Sequence, residues 1–145
     1  MRLVVQRVSR ASVRVGGRTA AEIGSGLLVL VAVGHGDGPA QAEWMGGKVF
    51  RLRIFEDPEG KMNRSLAEVG GEVLVVPQFT LYGDARKGRR PSWAAAAPAE
   101  EAARRVDDFA AALETLGASV KRGSFREHME VELVNDGPVT MLLET

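Results

Sequence analysis

Leu27-Leu28-Val29-Leu30-Val31-Ala32-Val33 is the stretch on which the fold turns. Its aliphatic residues follow one another without a break and are closed by Gly34, Gly36 and Gly38. A half-exposed strand would alternate between core and solvent. An unbroken run is expected of a strand buried on both faces, and hence of the middle of a sheet. Upstream, Leu3 to Val8, Ala11 to Val15 and Thr19 to Ile23 are short β-prone runs, separated by Ser9-Arg10 and by Gly16-Gly17. The glycine pair marks a hairpin turn. Downstream, Pro39 opens a helical pattern in which Trp44, Met45, Val49 and Leu52 recur at three- and four-residue steps, ending near the turn Asp57-Pro58-Glu59-Gly60. Gly46 and Gly47 fall inside it, and each costs roughly 1 kcal/mol relative to alanine, so packing has to hold this helix.

A second helix is better signalled. Pro98 stands at its first position, Glu100 and Glu101 in its first turn, and Ala102, Val106, Phe109, Leu113 and Leu116 along one face, with Gly117 closing it. Val73 to Val76 reads as another buried strand. Met129 to Val134 and Val139 to Leu143 read as two more, joined by Asn135-Asp136-Gly137-Pro138. Strands before, between and after two helices predict a single α/β domain over residues 1–145, with the helices covering a mixed sheet.

The bulk numbers narrow the function. A chain of 145 residues supports one sizeable core, and 45% hydrophobic with 26% charged residues is ordinary for a folded protein. The longest aliphatic run is too short to cross a bilayer, and the charged start Met1-Arg2-Leu3-Val4-Val5-Gln6-Arg7 does not read as a signal peptide, so a cytoplasmic address is expected. There is no cysteine, which excludes disulfides, a thiolate nucleophile and a cysteine zinc site. Nineteen basic residues balance nineteen acidic ones, so any contact with nucleic acid has to be local. The one dense basic cluster is Arg86, Lys87, Arg89 and Arg90, followed by Pro91 and Trp93. On charge pattern alone it also fits a solvated surface loop.

No catalytic constellation of a familiar kind is present. His35 and His128 are far apart in sequence, and neither has metal-ligand spacing or a nucleophile-elbow serine beside it. The glycines after Val33 lack the spacing of a dinucleotide or phosphate loop. Two segments stand out instead. In Val75-Val76-Pro77-Gln78-Phe79-Thr80-Leu81 a strand-like run contains a proline that cannot donate to a ladder. Either this is an edge strand with a bulge, or the amides of Phe79 and Thr80 face a cavity, as in an oxyanion hole. In Asn135-Asp136-Gly137-Pro138-Val139-Thr140 a Gly-Pro sits between two strands. It reads either as a plain hairpin turn or, with a cis bond, as a rigid pair of carbonyl acceptors for an ammonium group.

These two segments, with Val5-Gln6-Arg7-Val8-Ser9-Arg10-Ala11-Ser12-Val13, Leu52-Arg53-Ile54-Phe55-Glu56-Asp57, Gly60-Lys61-Met62-Asn63 and Arg86-Lys87-Gly88-Arg89-Arg90-Pro91-Ser92, closely resemble the D-aminoacyl-tRNA deacylase family over the full length. The resemblance implies a barrel-like sheet covered by two helices, no cofactor or metal, and a homodimer acting on the 3′-terminal adenosine and D-amino acid of aminoacyl-tRNA. It implies that Gly137 and Pro138 of one subunit enter the site of the other through a cis bond and reject an L side chain. It assigns the amides of Phe79 and Thr80, within the segment begun by Gln78, to the substrate carbonyl. Phe125 and Met129 would form the adenine pocket, and Arg7 would help fix the Gly-Pro segment. The family is thought to use the ribose 2′-hydroxyl rather than a protein base; a competing role for Thr80 is that of nucleophile. The chain departs from the family pattern at Pro77, where serine is usual, so an active protein cannot require a hydroxyl there. It departs again at Arg126-Glu127-His128, where smaller residues are usual. Two other classes remain to be weighed: a nucleic-acid-binding module without catalysis, suggested by Arg86 to Arg90, and a general small-molecule esterase, which would need a nucleophile–base pair.

Overall fold

The computed structural model describes residues 1–145. In chain order the strands are β1 Arg2–Val15, β2 Arg18–Ile23, β3 Gly26–Ala32, β4 Phe55–Glu56, β5 Met62–Arg64, β6 Glu72–Pro77, β7 Ser119–Arg122 and β8 Met129–Glu144. The helices are α1 Pro39–Arg51, α2 Leu66–Val69 and α3 Ala99–Thr115, and a 3-10 turn covers Phe79–Tyr82. The main sheet runs β2-β1-β3-β6-β7, with β8 pairing on the other side of β1. Its β3, β6 and β7 are parallel and its other pairings antiparallel, which makes it the mixed sheet expected from the pattern.

The aliphatic run is central, as its pattern requires. Leu27, Val29, Val31 and Val33 face one core together with Met45, Val49, Phe109 and Leu113 from the helices. Leu28 faces a second core with Val8, Val13, Leu74 and Val76. Gly16 and Gly17 form a two-residue hairpin loop with φ of 56° and 76°, the left-handed region that glycine enters without steric cost.

Several expectations are corrected. The two N-terminal runs are one strand, because Ser9 and Arg10 stay in the sheet and β8 pairs alongside with a register shift there. The C-terminal pair is also one strand of 16 residues and no hairpin, since both halves pair with β1. From the Gln6–Thr140 pair to the Val8–Asn135 pair, β1 advances two residues and β8 five, so the Gly-Pro segment is an outward bulge. Pro98 caps α3 rather than opening it. Besides the two expected helices there is the single turn α2, and β7 is a strand that the residue pattern did not announce. Gly46 and Gly47 are both buried in α1, and Gly46 lies where α3 crosses it. No helix is long and apolar enough to cross a membrane.

Candidate functional site

The parallel strands β3 and β6 end at the same side of the sheet, and ligands of α/β sheets gather outside such carboxyl ends. A cavity of about 480 Å³ opens there. Its floor is Val31, Ala32 and Val33 from β3 with Val76 and Pro77 from β6; Ala99, Ala102 and Val106 of α3 form one wall and Phe125 to Met129 the other. Gln78 and Phe79 stand at its lip. The lining is mostly apolar, suited to a flat, uncharged ring with a few polar contacts at the edge.

Pro77 does not mark an edge strand. β6 lies between β3 and β7, but β7 reaches only as far as the Val75–Arg122 pair. Val75 O accepts from Gly123 N at 2.8 Å on that side, while Gln78 N donates to Val31 O at 2.7 Å on the other. By strand alternation, the position where Pro77 lacks an N–H faces the side that β7 has already vacated. Beyond Gln78 the chain turns into the 3-10 turn, whose first bond runs from Leu81 N to Gln78 O at 3.2 Å. The amides of Phe79 and Thr80 precede that ladder, and the first donors of a helical turn have no partner within it.

Thr80 is exposed and is not part of the cavity lining. Its hydroxyl accepts a hydrogen bond from Gln78 Nε2. An amide has no basic lone pair near neutral pH, so this neighbour cannot take the threonine proton. The titratable side chains on the cavity wall are Arg126, Glu127 and His128, all on one short loop whose Arg126 has φ 64°. The residue pattern suggests only a surface or packing role for His128, yet that side chain sits on this wall. Its signal was the pair of pocket residues flanking it, Phe125 and Met129. No group of three His, Asp or Glu side chains converges as a metal site.

Gly137 and Pro138 lie elsewhere in the chain, exposed on the β8 bulge and joined by a cis peptide. Asn135 Nδ2 closes the bulge, donating to Arg7 O at 2.8 Å and Val139 O at 3.1 Å. Arg7 is buried beneath it, with Nε 2.9 Å from Asp136 Oδ2 and 3.3 Å from Asp136 O, and Nη1 donating to Ile54 O at 2.7 Å. Of the residues singled out from sequence, Gln78, Phe79, Phe125 and Met129 thus meet at one cavity, Thr80 is next to it, and Arg7, Gly137 and Pro138 form a separate group.

A mixed sheet with an apolar cavity at its carboxyl ends, free amides at the lip and no nucleophile–base pair fits a binding-driven enzyme better than a triad hydrolase. The family model described as D-Tyr-tRNA(Tyr) deacylase matches residues 4–144. A D-aminoacyl-tRNA deacylase of Thermomicrobium roseum is 59% identical over 100% of this chain and 94% of its own. One of Heliobacterium modesticaldum is 56% identical over 99% and 96%. Among solved structures, the c-Myc DNA Unwinding Element Binding Protein superposes with a TM-score of 0.94 at 40% identity, covering 100% of this chain and 99% of the other. A probable eukaryotic D-amino acid tRNA deacylase shares the fold, with a TM-score of 0.80 at 18% identity over 98% and 97%. The class is that of hydrolases of the aminoacyl-tRNA ester bond. The chain belongs to the D-Tyr-tRNA(Tyr) deacylase family.

Proposed function

We propose that this protein, as a cytoplasmic homodimer, hydrolyses the ester of D-aminoacyl-tRNA, and of glycine mischarged on alanine tRNA, while sparing L-aminoacyl-tRNA. The observation that carries the reading is the apolar cavity with Gln78 and Phe79 at its lip, in a chain 59% identical to a named deacylase. Phe125 and Met129 would sandwich the terminal adenine. The amides of Phe79 and Thr80 would hold the substrate carbonyl and then the oxyanion that forms on it. Water adds to the carbonyl carbon, assisted by the ribose 2′-hydroxyl. The ester C–O bond then breaks, and the 3′ oxygen leaves with a proton, giving free D-amino acid and tRNA. Gly137 and Pro138 of the partner subunit would close the site over the α-carbon. An enzyme that admits many side chains of one handedness has to discriminate at Cα, and backbone atoms do so without reading the side chain. Arg7 and Asn135 support this role because they pin the bulge from beneath.

The test is deacylation of D-tyrosyl-tRNA against L-tyrosyl-tRNA by protein that elutes at about twice 15.6 kDa. Hydrolysis of the D-ester alone is expected; equal rates on both would end the chirality claim. A second reading, a nucleic-acid-binding module without catalysis, draws on the 40% identical structure described as a DNA-element binding protein. It predicts salt-sensitive duplex binding and no release of either amino acid.

A further inference from the structure

Formal charge cancels over the chain, but not along its surface. Between Glu72 and Glu100, Asp84 is the only acid, while Arg86, Lys87, Arg89 and Arg90 supply four cations. The loop carrying them is closed at its base, where Asp84 and Ser92 exchange backbone hydrogen bonds of 2.8 and 2.9 Å. Arg86 is used up in that closure: Nε and Nη2 donate to the two Asp84 carboxylate oxygens at 2.9 and 2.6 Å. The guanidinium holds the Asp84 carboxyl down at about 2, so the brace persists at neutral pH. Lys87, Arg89 and Arg90 are exposed and enter none of the ion pairs of the protein. Directly after the loop, the Trp93 ring meets Phe79 edge-on at 6.0 Å, which sets the base of this loop beside the lip of the cavity.

We infer that Lys87, Arg89 and Arg90 form a phosphate-binding surface that grips the RNA backbone preceding the terminal nucleotide held in the cavity. This rests on the reading that the cavity receives the end of an aminoacylated RNA. A terminal adenosine looks the same on every tRNA and contributes few contacts. Cations beside the cavity mouth add affinity for any polynucleotide threaded past them, without reading its bases. Their side chains are long and solvated, so they act as mobile point charges, and their pull fades beyond about 8 Å at physiological salt. A chain with balanced charge thereby attracts RNA only where the cavity is.

The test is the triple variant Lys87→Ala/Arg89→Ala/Arg90→Ala, assayed on D-tyrosyl-tRNA and on 3′-O-D-tyrosyl-adenosine, a substrate without phosphates, across roughly 50 to 200 mM salt. KM for the tRNA is expected to rise about tenfold or more. The slope of its logarithm against that of salt should fall by about 2, at roughly 0.7 per single-strand phosphate released. On the short substrate KM should stay within about twofold of the parent. The double variant Arg89→Lys/Arg90→Lys, which keeps the charge, should keep the salt slope, and melting curves of all variants should coincide with the parent. An unchanged tRNA KM and slope, or an equal loss on both substrates, overturns the inference. A parent protein inert on both substrates removes the deacylase reading, and this inference with it.

Discussion

Thr80 is the residue at which the chemistry is most sharply decided. Its hydroxyl stands beside a reacting carbonyl in the proposed complex, as a nucleophile would, but its hydrogen-bond partner is the amide of Gln78. Without a base, a threonine hydroxyl is almost wholly un-ionised near pH 7, and attack by it would be slow. Thr80→Ala is therefore expected to retain kcat within about tenfold on D-tyrosyl-tRNA, since its backbone amide survives the change. A folded variant that binds tRNA and turns over nothing would restore the nucleophile reading. Arg7 carries its influence by position: its buried guanidinium touches Asp136, Ile54 and Glu56 at once, so one side chain ties the β8 bulge to the segment after α1.

Among the elements, the α1–α3 crossing shows how packing overrides propensity. Gly46 looks like a flaw in a helical pattern. A Cβ there would stand 2.9 Å from Ala112 Cβ and 3.3 Å from Phe109 O, so the glycine is what lets the two helices approach. Gly46→Ala gains about 1 kcal/mol of helix propensity but forces an overlap costing about 1 to 3 kcal/mol. The neighbours are a short side chain and backbone that cannot swing away. A net loss of up to about 2 kcal/mol is expected in urea titration, and a stabilised variant would refute the close-approach argument. Elements with local signatures were legible in the sequence: β3 by its unbroken aliphatic run, α3 by its stripe ending at Gly117, and the β1–β2 turn by its glycine pair. Those whose evidence is a partner far along the chain were not. Ser9-Arg10 and Gly137-Pro138 look like interruptions, and only the ladder to the opposite strand shows β1 and β8 passing through them. β7 is short and mostly exposed, so it lacks the apolar alternation that would have announced it. The same limit applies to the cavity. Phe79 drew notice by its motif, and Phe125 and Met129 by the family resemblance, but the α3 wall at Ala102 and Val106 looked like ordinary core.

For the molecule as a whole, the sheet is fastened where residues 1 and 145 meet. The Met1 ammonium is fully buried, 2.6 Å from Asp37 Oδ2, and the same oxygen accepts from Gly34 N at 2.7 Å. Thr145 donates its amide to Met1 O at 3.1 Å and its hydroxyl to Asp37 Oδ1 at 3.2 Å. Burial, followed by the nearby Asp37 charge, raises the Tyr82 phenol above its ordinary value. Asp37→Ala would leave the Met1 ammonium without its counter-charge, with only the Thr145 hydroxyl to accept from it, and the buried Gly34 amide without its acceptor, a loss of about 3 kcal/mol. At this size that lowers Tm by roughly 6 to 12 °C. A shift under about 2 °C in differential scanning calorimetry would show that water replaces the carboxylate at no cost.

β8 also governs the order in which the protein can be completed. It covers the whole length of β1, yet on the ribosome it is the last strand to appear, more than a hundred residues after its partner. Throughout synthesis one flank of β1 therefore offers bare N–H and C=O groups to any passing strand. A nascent chain stalled before Met129 is poised for intermolecular pairing, so early termination yields a sticky fragment as well as an inactive one.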